Sequence, residues 1–349
     1  MTRNNNFDLL RLMASLGVFY MHGCYLFDKS IIAFFNNTNS IGSIAVFVFF
    51  FISGYLIFQS LNRTENRIDF IVKRICRIFP GLIVAAFFSV FVVGLWMTKM
   101  DKFIFLNDQK TWGLFFNYMF ALANQHQLPG VFEMNPFAWA VNGSLWTLKY
   151  ELLMYAILFV LALVVGKINL IQSVLVVLGF FILFLFSGDI VFLQGIFTLK
   201  DFSMFGVLFF LGVIFCFFNL KNKNFLLIAI FLGFIIANFS TSFRILSLGV
   251  FILVSSGVLF VAYFKPLTKI KLKHDLSYGI YIYAFPVQQA LTEISLSQGW
   301  SKWMCLTLSL LIIVPLAWLS WNYVEKPGIA LGKRIGQKFY KKQSAPAAL

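Results

Sequence analysis

A histidine that follows an arginine by eleven positions, inside one apolar run, is the first place in this sequence where chemistry could be done. Eleven residues of helix turn through about 1100°, about 20° past three full circles, so Arg11 and His22 share a face about 16 Å apart. Asp8 and Ser15 lie on the same stripe, making one face of this helix polar from its start to beyond its middle. Ionisable groups are costly inside a bilayer, and imidazole is the side chain best suited to accept a proton near neutral pH. His22 is therefore a candidate general base, and Arg11 a candidate ligand for an anion. The plainer alternative makes Arg11 and Asp8 interfacial anchors, with Arg11 snorkelling, and His22 a hydrogen-bonding partner of a neighbouring helix.

A second group is Asn142-Gly143-Ser144-Leu145-Trp146-Thr147-Leu148-Lys149-Tyr150-Glu151. Ser144 and Glu151 are seven apart and align on a regular helix, and Glu151 is the only acidic residue well inside an apolar segment. A carboxylate there needs a partner or a role, and a neutral or Lys-paired structural glutamate is the alternative. A third group is basic: Asn62-Arg63-Thr64-Glu65-Asn66-Arg67, then Lys73-Arg74-Ile75-Cys76-Arg77 before Pro80. Arg74 and Arg77 are three apart, on one helical face, and paired guanidinium forks match phosphate oxygens. Retention of positive charge on the cytoplasmic side explains the same residues without a ligand.

Weaker signals complete the set. Ser53-Gly54-Tyr55 puts small residues mid-span, as close helix packing requires, and Ser277-Tyr278-Gly279-Ile280-Tyr281 with Pro286 suggests a kinked or locally unwound ninth span. His126 and His274 read as solvated loop residues. Four scattered cysteines point to neither a disulfide framework nor a zinc site, and no phosphate-cradling glycine loop or nucleophile elbow is seen. No metal site and no tightly bound cofactor are expected.

The elements that must position these residues follow from composition. The chain has 349 residues, 60% hydrophobic and 12% charged, with 46 Phe, against about 45–50% and about 25% in a soluble domain. The apolar runs are long and unbroken, so the expected fold is all-α, a polytopic membrane protein and not a β-barrel. Ten spans are expected at about 9–27, 41–59, 79–98, 143–165, 170–187, 202–219, 224–240, 245–264, 277–296 and 303–323. The first is read as a retained span and not a signal peptide.

The net charge is +15, which in a soluble protein would raise nucleic acid; here the basic residues lie between spans, and no nucleic-acid partner is expected. With both termini cytoplasmic, twenty Lys and Arg fall on the inner side against seven on the outer, with Lys149 inside a span. The inner set includes Arg3, the connection 60–78, Lys221, Lys223 and the tail 324–349. The outer segment 99–142 carries an apolar patch from Trp112 to Ala123, short for a crossing and suited to a re-entrant or interfacial helix. The whole is one transmembrane domain without a convincing internal repeat.

In order and position these residues resemble the membrane-bound acyltransferase-3 family of bacterial O-acyltransferases, over nearly the whole chain. The resemblance rests on Arg11 and His22, Arg74-x-x-Arg77, Ser53-Gly54-Tyr55, Gly143-Ser144-Leu145-Trp146 with Glu151, Ser277-Tyr278-Gly279-Ile280-Tyr281, and Glu325-Lys326-Pro327. It implies transfer of an acyl group, by default acetyl, from cytoplasmic acetyl-CoA to a sugar hydroxyl of an extracytoplasmic or lipid-linked glycan, in a bacterial inner membrane. The implied catalytic histidine is His22; Trp146 and Glu151 fall on the fourth-span motif, with Glu151 read as a second catalytic residue that orients His22 or polarises the acceptor, and Arg11, Arg74 and Arg77 would serve the acyl-CoA donor. Ser144, Trp146 and Tyr278 would face the saccharide acceptor. Many members carry a histidine before the ninth-span proline, where this chain has Ala284, so a mechanism needing a second intramembrane histidine is in doubt. The rival class is a secondary transporter or glycolipid flippase using Arg11, His22 and Glu151 as a polar relay.

Overall fold

The computed structural model describes residues 5–344 except 65, 125, 189, 194 and 219–223. Arg3, Lys221 and Lys223 of the charge count, Glu65, the connection 220–223 and the last residue of the sixth expected span lie outside the described residues, as do the side chains of Lys338, Lys341 and Lys342. The described residues are mostly helical, with two small hairpins and an irregular stretch between α5 and α6. The helices are α1 (Phe7–Asp28), α2 (Ile41–Asn62), α3 (Arg67–Met97), α4 (Lys102–Asn107), α5 (Gln109–Met119), α6 (Gly143–Val165), α7 (Leu170–Phe186), α8 (Leu199–Phe215), α9 (Asn224–Phe239), α10 (Phe243–Ala262), α11 (Ser277–Gln298), α12 (Lys302–Ser320) and α13 (Lys326–Ser344). Strand β1 (Ala33–Phe34) pairs antiparallel with β2 (Asn39–Ser40), and β3 (Val191–Phe192) with β4 (Phe197–Thr198).

Each of the ten expected spans falls on a helix. Among the described residues six helical stretches are long and apolar enough to cross a membrane, and α7 and α9 are shorter apolar helices. The outer segment is as short for a crossing as its apolar patch suggests. Its apolar patch forms α5, whose 11 residues cover about 16 Å, too little to cross. It lies instead against α3, where the Phe91 ring meets Trp112 and Phe115.

The chain divides into two compact units. The first comprises Met1–Cys24, Ser30–Gln59 and Thr147–Ser277; the second comprises Tyr25–Lys29, Ser60–Trp146 and Tyr278–Leu349.

In the first unit the close packing expected at Ser53-Gly54 is present. A Cβ on Gly54 would collide with the Phe209 carbonyl, and one on Gly212 with the Phe51 carbonyl, so α2 and α8 touch backbone to backbone. The start of α1 is pinned by the Asn6 amide on the Ala262 carbonyl at 2.9 Å and by the Phe7 ring against Tyr55 and Tyr263, whose hydroxyls meet at 2.7 Å.

In the second unit α3 begins at Arg67, capped by Asn66, which accepts from the Ile68 amide. Pro80 therefore sits inside a continuous helix and does not open the third span, and the basic connection 60–78 is mostly helical. Pro80 leaves the Cys76 carbonyl without its helical donor. A Cβ on Gly328 would stand 2.8 Å from that oxygen, which shows how closely α13 approaches there. Gly328, Gly332 and Gly336 repeat every four residues and present a bare helix face to Cys76 and Asp69 of α3.

The ninth expected span, α11, is continuous and not unwound: Ser277–Gln298 is helical through Pro286. The carbonyl that Pro286 frees belongs to Ile282, and the Asn142 side chain donates to it at 2.9 Å.

Candidate active site

In the first unit α1 carries Arg11, Ser15 and His22 along one continuous helix, as the spacing predicts. Arg11 Nη1 lies 3.3 Å from Asp275 Oδ2 and 3.9 Å from Asp8 Oδ1, and the charge of Glu151 also acts on it. Ser15 is fully buried and its hydroxyl returns to the Leu12 carbonyl. His22 is half-buried, beyond Arg11 toward the other end of the helix.

Glu151 belongs to the same unit. Its Oε1 accepts from the Ser53 hydroxyl at 2.7 Å and from Tyr155, one turn further along α6. Among the described residues its hydrogen bonds come from these two hydroxyls and not from His22. Arg11 stands between Asp8 and Asp275 on one side and Glu151 on the other, a line of alternating charge. Sequence reasoning missed Asp275, which lies just before α11 and far from Arg11 in the chain. Tyr155 was legible, since it stands four residues after Glu151.

Gly143–Thr147 forms a 3-10 turn before the regular part of α6 begins at Leu148. A 3-10 turn advances each residue by about 120° and not 100°, so Ser144 is rotated by about 60° from the position that a regular helix would give it relative to Glu151. Asn142 holds this turn: its Nδ2 donates to Ser89 Oγ at 3.1 Å and to the Ile282 carbonyl, and its Oδ1 accepts from the Ser144 amide at 3.3 Å. The Tyr281 hydroxyl donates to the Ser144 carbonyl at 2.6 Å. Ser144 is fully buried, whereas Trp146 is half-buried.

The Asn142 amide donates to the Tyr118 hydroxyl at 3.1 Å, and that hydroxyl stands 3.4 Å from His126 Nδ1. His126 is thus packed against Tyr118 and not simply solvated. Burial pushes the Tyr118 phenol up, only partly offset by the Asn142 amide, so it stays neutral. Above the turn, Gln289 donates to the Phe137 and Ala140 carbonyls at 2.8 and 2.7 Å and accepts from Asn135 at 2.8 Å, tying the preceding loop to α11.

The two arginines of the basic group have separate partners. Arg77 Nη1 lies 3.7 Å from Oε2 of Glu325, which is completely buried, and its guanidinium covers the Trp321 ring at 5.6 Å. Ser320 donates to the other oxygen of Glu325 at 3.0 Å. Glu151 is therefore not the only carboxylate deep in the protein. Arg74 donates weakly to Ser60 Oγ at 3.4 Å and lies over the Phe70 ring at 5.8 Å. Tyr278 donates to the Ile78 carbonyl at 2.9 Å, and its ring lies beside Gly81. Among the described residues no group of three or more His, Cys, Asp or Glu is arranged to hold a metal.

The family model described as "Acyltransferase domain" matches residues 4–322. The chain is 30% identical to "O-acetyl transferase" of Shigella phage Sf6 over 336 residues, covering 93% of this chain and 96% of that protein. It is 29% identical to "Nodulation protein 10" of Rhizobium leguminosarum bv. viciae over 368 residues, covering 94% of each. No solved structure matches.

Proposed function

This chain belongs to the acyltransferase-3 family and is an O-acetyltransferase, and we propose that it moves acetyl from cytoplasmic acetyl-CoA to a sugar hydroxyl of an extracytoplasmic or lipid-linked glycan. It is a multi-pass membrane protein. We assign it ten spans with both termini cytoplasmic, in a bacterial inner membrane, on the strength of its charge distribution.

The observation that carries the reading is the polar line on and beside α1. Asp8, Asp275, Arg11 and Glu151 form an electrostatic chain in the unit that also holds His22. In this reaction His22 takes the proton of the acceptor hydroxyl while the oxygen attacks the thioester carbonyl. The carbon–sulfur bond breaks, the imidazolium returns the proton to the leaving sulfur, and the products are the acetyl ester and free CoA. Glu151, held by Ser53 and Tyr155, acts through Arg11 as a positioning residue. Arg11 of the first unit is the residue assigned to the anionic donor, Arg74 of the second is a separate candidate for it, and Arg77, through Glu325, holds α13 beside Arg74's helix. Ser144 and Trp146 belong to the acceptor side, with Ser144 fixed by Asn142 and Tyr281, whereas Tyr278, at the start of α11 beside Ile78, is at the cytoplasmic end in this topology.

The test is mass spectrometry of surface glycans from cells carrying the wild-type chain or His22→Ala at equal protein level. The variant should lose one O-acetyl group from the glycan, a fall of roughly 10²–10⁴ in transfer rate. Transfer at the wild-type rate would remove His22 from the mechanism.

A further inference from the structure

The first unit contains a cluster that the mechanism above does not use. At the start of α6, Lys149 Nζ lies 5.5 Å from the centroid of the Tyr150 ring and 5.8 Å from that of Phe197. Phe197, on β4, stacks on Phe192 of β3 at 5.4 Å with 19° between planes, and stands edge-on to Tyr150 at 5.2 Å. Asp201, in the first turn of α8, acts electrostatically on Lys149.

Asp201 would ordinarily be explained as half of a capping box, with its carboxylate on the Thr198 amide. The hydrogen bonds run otherwise. The Thr198 amide donates to the Tyr150 hydroxyl at 2.9 Å, and the Thr198 hydroxyl donates to Asp201 Oδ2 at 2.7 Å while accepting from the Asp201 amide at 3.1 Å. The cap is satisfied without the carboxylate serving the backbone. Among the described residues Oδ1 of Asp201 accepts no hydrogen bond, and the pair Lys149 and Asp201 is set beside an aromatic wall that is itself half-buried.

A wall of ring faces with one acceptor and one charged donor at its edge is the arrangement that binds a polyol ring. The C–H face of a pyranose carries partial positive charge toward the negative ring face, and its hydroxyls donate to a carboxylate and accept from an ammonium. We propose that the β3–β4 hairpin and the starts of α6 and α8 form a subsite for one pyranose ring of the acceptor. Phe192 and Phe197 supply the stacking wall, and Lys149 and Asp201 supply the hydrogen bonds. The assignment of this ring to the acceptor rests on the function proposed above, in whose topology the hairpin faces the outer side.

The experiment uses the full chain in detergent micelles and, as probe, base-deacetylated surface polysaccharide from its own cells. Saturation-transfer NMR reads saccharide binding, and acetyl transfer and acetyl-CoA affinity are measured beside it. Asp201→Asn and Phe197→Leu should each weaken polysaccharide binding at least tenfold and raise the acceptor KM to match. Acetyl-CoA affinity should stay within twofold, and Phe197→Tyr should restore binding. A conservative tyrosine that fails to rescue, or Asp201→Asn and Phe197→Leu that bind like wild type, would overturn the subsite while leaving His22-dependent transfer intact. Transfer unaffected by His22→Ala would instead overturn the proposed function and leave the binding result standing. A wild-type chain that binds no polysaccharide overturns both the acceptor class and the subsite.

Discussion

Arg11 and Arg77 begin as equals in the sequence, each a basic residue at an end of an apolar run, and the structure gives them opposite surroundings. Arg11 faces two carboxylates that keep some surface exposed, Asp8 at 50% and Asp275 at 16%. Arg77 faces Glu325, which is not exposed at all. The difference lies in the partner. A carboxylate at a rim can exchange a guanidinium for water, whereas a buried one cannot lose its counter-ion without a large desolvation cost. By this criterion the α1 site is free to exchange partners during a reaction, and the contact between α3 and α13 is a lock.

The largest effect that could break this comparison is on Arg77. Arg77→Ala removes the guanidinium that faces the fully buried Glu325, and it should destabilise the protein by about 3–5 kcal/mol. Thermal unfolding in detergent reads the loss, together with a fall in the amount of folded protein recovered from membranes. The double variant Arg77→Met with Glu325→Met removes both charges and should recover most of the stability. If Arg77→Ala unfolds like wild type, Arg77 is no lock, and it returns to the donor-binding role expected of it beside Arg74.

Arg11→Ala gives the opposite pattern. Its partners can be hydrated, so stability should change by about 1 kcal/mol or less, while acetyl transfer should fall by roughly 10–100-fold, the loss of one or two charge-assisted hydrogen bonds. Rates at equal folded protein, set against unfolding temperatures, separate the two. A variant as unstable as Arg77→Ala would erase the distinction between the regions.

What could be seen in the sequence follows the same division. The α1 stripe was legible because eleven residues of regular helix return a side chain to the same face, and helix periodicity is local. Glu151 stood out as a carboxylate in an apolar run, but its partner Ser53 and the Arg11 partner Asp275 come from distant segments that only tertiary packing brings near. The lock was hidden differently. Gly328, Gly332 and Gly336 stand at four-residue intervals, yet among lysines and an arginine they look like part of a basic tail, because a small-residue stripe signals helix packing only within an apolar span. Pro80 and Pro286 were read as a start and a break. Both lie inside helices, with the Asn142 side chain on the carbonyl that Pro286 frees and Gly328 close against the one that Pro80 frees.

Asn142 gives an intermediate effect. Asn142→Ala removes the donor to the Ile282 carbonyl and to Ser89 in a fully buried position, which should cost about 1–3 kcal/mol. Because Asn142 also fixes the Ser144 turn, the acceptor KM should rise more than the acetyl-CoA KM. Pro286→Ala provides the control: an alanine amide at 286 can close the helical bond to Ile282, so combining it with Asn142→Ala should return part of the stability without returning the acceptor KM. Equal recovery of both would mean that Asn142 serves only to satisfy the carbonyl.

The smallest effect tests whether burial, and not charge pairing as such, separates a lock from a passing contact. Lys302 Nζ lies 2.8 Å from Asp28 Oδ2, shorter than the 3.7 Å of the Arg77 and Glu325 pair, but Asp28 is 40% exposed. If distance governed strength, the Lys302 pair would be the stronger. Solvent screening and the entropy of holding two mobile side chains argue for the reverse, and Lys302→Ala should shift stability by only about 0.2–1 kcal/mol. Its effect should shrink further as salt is raised from low to molar concentration, while that of Arg77→Ala should hardly move, since a pair around a fully buried carboxylate is screened far less. Unfolding measured for both variants across that salt range decides between the two accounts, and a large, salt-independent loss in Lys302→Ala would favour distance over burial.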